Sequence, residues 1–261
     1  MKSDFDIIRH EFPELKEIHI YPIADVHLGS QEHNQQKFLK LVKMINDDPV
    51  GYCVLVGDLC DTALKNSKSD IYSASMTIMD QLATAAEQLR PLAETGKILG
   101  MVGGNHEKRI SREVGLDASY IIAEKLGIAD LYRPAMCFIQ IKINTTDPSH
   151  DNRKCYYIGM THGNGGGTTY AFLNKNQQIA QICEGCDALI TGHTHKPAVI
   201  TPARLRIDRR RQKITVVPIL CVTASSWLDY GGYALEKMLL PAATCRPQIL
   251  TANIYGMTIT M

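Results

Sequence analysis

The chain has 261 residues, 45% of them hydrophobic and 21% charged, with a formal net charge of +1. That length can bury a sizeable core, and the composition excludes a disordered chain. The balance of charge argues against a protein built mainly to grip nucleic acid, and no apolar run approaches the roughly 18 residues of a membrane-spanning helix.

Taken in chain order, acidic residues stand in the first 20 positions where a secretory signal needs a basic and then an apolar stretch, which predicts a cytoplasmic protein. Residues 18–24 form an apolar, strand-like run that ends at DVHLGS. In QQKFLKLVKMINDD, Phe38, Leu41, Val42 and Ile45 recur at helical spacing. The β-branched run 52–56 ends at GDLCD, and a helical pattern follows from about Ser69 to Ala93, with Pro91 expected to kink it or end it early. A third strand, 97–102, ends at GGNHE, and 118–125 reads as a short helix.

Strands predominate beyond that point: 137–143, then 155–160 ending at THGNGGG, a helix near 171–183, and 188–191 ending at GHTH. A hairpin flanks RIDRRRQK, and LTANIYGMTI reads as a last strand. No repeat, low-complexity segment or linker divides the sequence, which predicts one domain over 1–261, with 198–261 completing a second sheet. The eight cysteines are scattered and read as buried thiols; Cys183 and Cys186, the one close pair, lack the second pair of a thiolate zinc site.

Five strand-like runs each end in a short polar motif: Asp25-Val-His27, Gly57-Asp58, Gly104-Asn105-His106, Thr161-His162-Gly163 and Gly192-His193-Thr194-His195. Ligands collect at the carboxyl ends of strands in α/β sheets, because the loops there converge on one edge. Five of the nine histidines lie in these loops. Each motif alone reads equally well as a solvated turn or a helix cap. Together they offer aspartates, an asparagine carbonyl and imidazoles, a mixed N/O set that suits Mn²⁺, Fe²⁺, Zn²⁺ or Ni²⁺. The groups outnumber the needs of one ion, so two are expected, and a metal pair can act on both sides of a phosphorus centre.

The ordered set D-x-H, G-D-x-x-D, G-N-H-E, H-G and G-H-T-H resembles the calcineurin-like metallophosphoesterases, over Asp25 to His195. The resemblance implies an α/β fold, a four-layer α/β/β/α sandwich of two mixed sheets flanked by helices, with a dinuclear metal centre at the strand ends. It implies that Asp25, His27 and His195 bind the first ion, that Asp58 bridges, and that Asn105, His162 and His193 complete the second. His106 would then be the histidine without a metal, acting on the leaving oxygen, with Asp61 orienting it; an imidazole held by a carboxylate is a sensible acid near neutral pH.

The substrate is less constrained. Lys108, Arg109 and Arg112 after GNHE, Asn164 with the glycines 165–167, the basic run from Arg204 to Lys213, and the pair Trp227 and Tyr230 could all meet a substrate. For each the plain alternative is a solvated turn, a solvated face or ordinary packing. These features favour a phosphodiesterase acting on nucleic acid (DNA or RNA) or nucleotides, nuclease-like. Against it, repair nucleases of the family carry an extra capping domain, whereas only about 60 residues remain here after GHTH. A phosphatase or phosphodiesterase of a small metabolite is therefore the alternative. A non-catalytic scaffold, as in a retromer subunit that resembles the family, is a third, and the complete ligand set argues against it. No membrane partner is expected, and oligomeric state is open.

Overall fold

In the computed structural model, residues 4–65, 67, 71–149, 152–165 and 171–261 are described. Alternation of apolar residues builds two sheets that share a core. One sheet contains, in spatial order, β14 (Gly256–Thr260), β13 (Ile249–Asn253), β2 (Glu17–Ile23), β3 (Gly51–Leu55), β4 (Ile98–Val102) and β5 (Tyr132–Arg133). The other runs β1 (Ile7–Phe12), β6 (Met136–Ile143), β7 (Lys154–Thr161), β8 (Ala188–Thr191), β12 (Leu220–Thr223) and β9 (Ala198–Ile200). Both sheets are mixed: β2 through β5 are mutually parallel, as are β7, β8 and β12, while β13 and β9 pair antiparallel to their neighbours.

Between the sheets lie Ile18, Ile20, Val54, Leu99, Ile139, Ile141, Ile158, Met160 and Ile190, all fully or almost fully buried. The β6 strand buries every second residue, the period that places alternate side chains on opposite faces. Gly100 makes the sheets' close approach possible, since a β-carbon there would stand 2.9 Å from Ile139 Cδ1. Helices cover the outer faces. Three of them, α1 (Gln35–Asp47), α2 (Ile78–Glu94) and α4 (Ala118–Lys125), pack on the β2–β5 side through Phe38, Leu41, Ile45, Leu89 and Ile122. On the other side α5 (Ala171–Ala180) packs through Ile179 against Leu189 and Cys221. The result is the four-layer α/β/β/α sandwich expected from the sequence.

Several local expectations are corrected. The α2 helix begins at Ile78, where Thr77 caps it by accepting the Asp80 N–H, and Pro91 sits in its last turn without ending it. Ser69, where the helical pattern was expected to start, lies outside the described residues. LTANIYGMTI is not one strand but the hairpin β13–β14. Segment 198–261 is divided between both sheets, β9 and β12 joining one and β13–β14 the other, so it does not complete a single sheet. Between β9 and β12 stands a separate ribbon of β10 (Ala203–Asp208) and β11 (Lys213–Pro218). Cys155 is exposed, unlike the buried Cys53, Cys60, Cys137, Cys186 and Cys221. Among the described residues no helix is long and apolar enough to cross a membrane.

The inter-sheet layer should dominate stability. Ile139→Ala, which opens a void at a fully buried position, is expected to cost about 2–5 kcal/mol in denaturant unfolding; a loss below about 1 kcal/mol would contradict this packing.

Candidate metal centre

The strands β2, β3, β4, β7 and β8 all release their loops at one edge of the sandwich. There the segment after β2 is zipped to the segment after β3: the N–H groups of Val26 and His27 both donate to the Asp58 carbonyl, at 2.8 and 3.1 Å. The backbone is strained where the side chains turn inward. Asp25, His27, Asp58, His193 and His195 all have φ between 51° and 73°, a left-handed conformation that non-glycine residues rarely adopt and that concentrates at functional sites.

Two carboxylates organise the centre. Asp25 is fully buried; its Oδ2 accepts the His193 N–H at 2.8 Å, while its Oδ1 is buried with no hydrogen-bond donor aligned to it. That oxygen stands 3.3 Å from His195 Nε2 and 3.8 Å from His27 Nε2. Asp58 repeats the pattern. Its Oδ1 accepts the His106 N–H at 2.9 Å, and its Oδ2 lies 3.1 Å from His162 Nε2 on one side and 3.9 Å from His27 Nε2 on the other. The His27 and His195 Nε2 atoms face each other at 3.0 Å, a separation that needs a proton or a cation between two lone pairs. Asn105 Oδ1 meets His162 Nε2 at 2.9 Å and His193 Nδ1 at 2.6 Å. His162 is oriented by donating from Nδ1 to the Val56 carbonyl at 2.8 Å, so Nε2 is the atom left for a ligand.

The donor set therefore fits divalent cations. Asp25, His27 and His195 form one group of converging ligand atoms; Asp58, His162 and His193 form a second, with the Asn105 oxygen beside it. His106 also lies close enough to His27 and Asp58 to form a third combination, its Nε2 3.8 Å from Asp58 Oδ2. Burial opposes charge throughout, yet Asp25, Asp61 and Asp58 push the His27 imidazole up to about 10, and Asp58 pushes His162 up to about 9. In turn, and despite burial, His195 and His27 hold Asp25 well below the usual carboxylate range, and His162 lowers Asp58. Without a cation, protons on imidazoles would supply the counter-charge of this buried acidic knot, and bound cations would displace them.

His106 sits beside the ligands. Its Nδ1 donates to the Asp61 carbonyl at 2.8 Å and lies 3.1 Å from Asp61 Oδ1, while its Nε2 accepts from Arg109 Nη2 at 2.9 Å. Asp61 thus contacts His106 through backbone and carboxylate together, and the same carboxylate reaches His27 Nδ1 at 3.6 Å. Burial, then His27, pushes the His106 imidazole below its ordinary value.

A residue that sequence spacing does not reveal underlies all of this. Glu107, the first residue of α3 (Glu107–Val114), is 1% exposed, and its carboxylate accepts the N–H of Asp58 at 3.1 Å and of Cys60 at 2.9 Å. It fastens the Asp58 loop from below. Burial and the Asp58 charge raise its carboxyl to about 7. Thr62 likewise donates from Oγ1 to the His106 carbonyl at 2.6 Å. The fourth letter of GNHE was the available signal for Glu107; for Thr62 there was none. Gly104 is required by the close approach of Asp58 and Glu107, whose atoms occupy the place a β-carbon would take.

The expected substrate contacts fare unevenly. A cavity of about 940 Å³ opens over the centre, and Arg109 and Arg112 line it, but Lys108 and Asn164 do not. Asn164 is exposed, and Gly166 and Gly167 lie outside the described residues. Trp227 is buried against Phe38, ring centroids 6.0 Å apart, and is unavailable for stacking a base. Tyr230 lines the cavity and donates its hydroxyl to the Leu239 carbonyl at 2.7 Å. No residue of the basic ribbon borders the cavity.

No family model matches the sequence, and no curated protein matches it. Similar solved structures include a conserved Streptococcus pneumoniae protein described as a predicted phosphoesterase, at 15% identity over 91% of this chain and 84% of that one, with a TM-score of 0.40. A metallophosphoesterase from Sphaerobacter thermophilus gives 15% identity over 93% and 87%, with a TM-score of 0.42. Vps29 complexed with zinc from Entamoeba histolytica gives 14% identity over 93% and 96%, with a TM-score of 0.40. None of them bears on activity at this distance; the chemistry is read from the side chains above.

Mn²⁺ at about a hundredfold over its Kd should stabilise the chain by about 2.7 kcal/mol and raise Tm by on the order of 5–10 °C. Asp58→Asn should lose most of that rise, and an unchanged wild-type Tm would count against the centre. Glu107→Ala leaves two backbone N–H groups without their acceptor, an expected cost of about 2–5 kcal/mol in denaturant unfolding; a neutral substitution would show that the Asp58 loop does not need it.

Proposed function

We propose that this chain is a phosphoester hydrolase working with two divalent cations, Mn²⁺ foremost, and that it cleaves phosphodiester bonds in nucleic acid or nucleotides. The observation that carries this reading is the Asp58 carboxylate, fixed by one oxygen to a backbone N–H while the other faces His162 at 3.1 Å and His27 at 3.9 Å. Asp25, His27 and His195 would hold one ion, Asn105, His162 and His193 the other, and Asp58 both. When bound, such a pair neutralises phosphate charge and activates water for in-line attack.

The protein's own groups do the rest. Asp61 fixes the ring of His106 through Nδ1 and aims Nε2 into the cavity-side opening. Arg109 stands at that Nε2. A substrate phosphate competes for the guanidinium, which binds phosphate oxygens in fork geometry, and draws it off the ring. Released from the guanidinium, His106 Nε2 takes up a proton from solvent and is then positioned to hand it to the leaving oxygen.

A specific observation favours a small substrate, a nucleotide or a phosphorylated metabolite, over a long nucleic acid. The cavity lining includes Leu228, Asp229, Tyr230, Tyr233, Leu239 and Leu240 of segment 226–244, together with Glu32. A partly apolar cavity of this volume suits a nucleotide-sized ligand, whereas the basic ribbon that would grip a long polyanion lies elsewhere.

Hydrolysis of single-stranded DNA, bis-(p-nitrophenyl) phosphate and p-nitrophenyl phosphate in Mn²⁺ separates the readings. Diester cleavage is expected; turnover of the monoester alone would remove the phosphodiesterase reading. His106→Ala should keep its metal and lose about 10²–10⁴ in kcat, and full activity in that variant would remove His106 from the reaction.

A further inference from the structure

The β10–β11 ribbon stands outside both sheets and has an inverted pattern. Leu205 pairs across the ribbon with Val216, and Ile207 with Ile214, so these four side chains share one face. They are 71%, 68%, 71% and 66% exposed respectively. The opposite face holds the pairs Arg204–Val217, Arg206–Thr215 and Asp208–Lys213. Arg204 and Val217 are half-buried where the ribbon leaves the body, so the polar face is turned inward at the ribbon's base, while Arg206, Thr215 and Lys213 on the same face are exposed. Burial raises the Asp187 carboxyl just before β8, opposed by the Tyr157 N–H and by the charge of Arg206, which is itself exposed. A normal surface ribbon would turn its aliphatic side in and its arginines out.

Aliphatic side chains this exposed on a single face form a patch of a few hundred Å², the size at which a surface marks an interaction site. An isolated two-stranded ribbon is also marginal in water without a covered face. We propose that the Leu205, Ile207, Ile214 and Val216 face is the contact surface for a second copy of this chain, the two ribbons packing face to face about a twofold axis.

Three features select that occupant. The face is aliphatic throughout, so a second copy turned about a twofold axis meets it apolar against apolar, the same patch on both sides of an isologous contact. Two such faces with their flanking residues bury roughly 1,000 Å², the lower bound for a specific interface. The charges also agree: Arg204, Arg206 and Lys213 are on the face turned away from the contact and do not oppose each other across it. An anionic lipid surface would instead need those cations beside the inserted aliphatic residues, and a nucleic acid would use the basic face and leave the aliphatic one in water. The surface is independent of the centre, because no residue of 198–218 lines the cavity.

Sedimentation equilibrium of the full chain at micromolar concentrations tests this. Wild type should sediment at twice the chain mass. The double variant Leu205→Ser/Ile214→Ser should move the monomer–dimer midpoint at least about tenfold to higher concentration, and Ile207→Lys alone should do the same, both with unchanged circular dichroism and thermal unfolding of the monomer. A wild type that sediments as a single chain overturns the proposal, including one that binds phosphatidylserine–phosphatidylcholine vesicles or single-stranded DNA as a monomer. So does a folded double variant that stays dimeric.

Discussion

Two buried carboxylates, each tied by one oxygen to a backbone N–H and left open at the other, constrain everything around them. Asp25 is tied to His193 and Asp58 to His106, so each acidic side chain is fixed by a loop that also delivers a neighbouring imidazole. Pinning one oxygen directs the second, and the second oxygens are where the histidine nitrogens converge. The cost is local: left-handed backbone at five non-glycine positions, and glycine enforced at 104. The fold offsets it with the apolar layer between the sheets and with Glu107, whose two accepted N–H bonds hold the Asp58 loop in that strained shape.

From that constraint the surroundings acquire roles. A site dense in buried negative charge attracts cations, yet under the proposed function its cavity also admits an anionic phosphate. Arg109 and Arg112 supply positive charge to the cavity lining, and the 226–244 segment supplies apolar and aromatic side chains to it. Nothing in this arrangement engages the basic ribbon, whose residues lie outside the cavity lining. The densest positive patch in the sequence is thereby separated from the chemistry, and charge that looked like a nucleic-acid grip in one dimension has a structural setting in three.

Much of the centre was legible in the sequence, because strand-ending polar motifs in an α/β chain must collect at one edge. Asp25, His27, Asp58, Asn105, His162, His193 and His195 all arrive together there. What escaped was contributed by contacts between loops. Glu107 reads as an ordinary acidic residue in a first helical turn, and only the folded chain brings it beneath Asp58. Arg109 is placed for a phosphate by its position after GNHE, but its hydrogen bonds to the His106 ring and the Asp61 carbonyl are contacts only the fold supplies. The N-terminal strand β1 alternates in burial but not in sequence, because apolar Ile7 is on its exposed face and polar His10 on its inner one. The β13–β14 hairpin was missed because Asn253, Tyr255 and Gly256 were absorbed into one apolar run, although Asn and Gly mark a turn. The ribbon's apolar face was hidden by its arginines, since alternation tells which residues share a face but not which face looks outward.

The most direct test of the centre is its metal stoichiometry and coupling. Chain stripped of metal, reconstituted with Mn²⁺ and desalted should retain two ions per chain by elemental analysis. Its electron paramagnetic resonance should be that of an exchange-coupled pair sharing the Asp58 carboxylate. One isolated ion per chain, or none, would contradict the account.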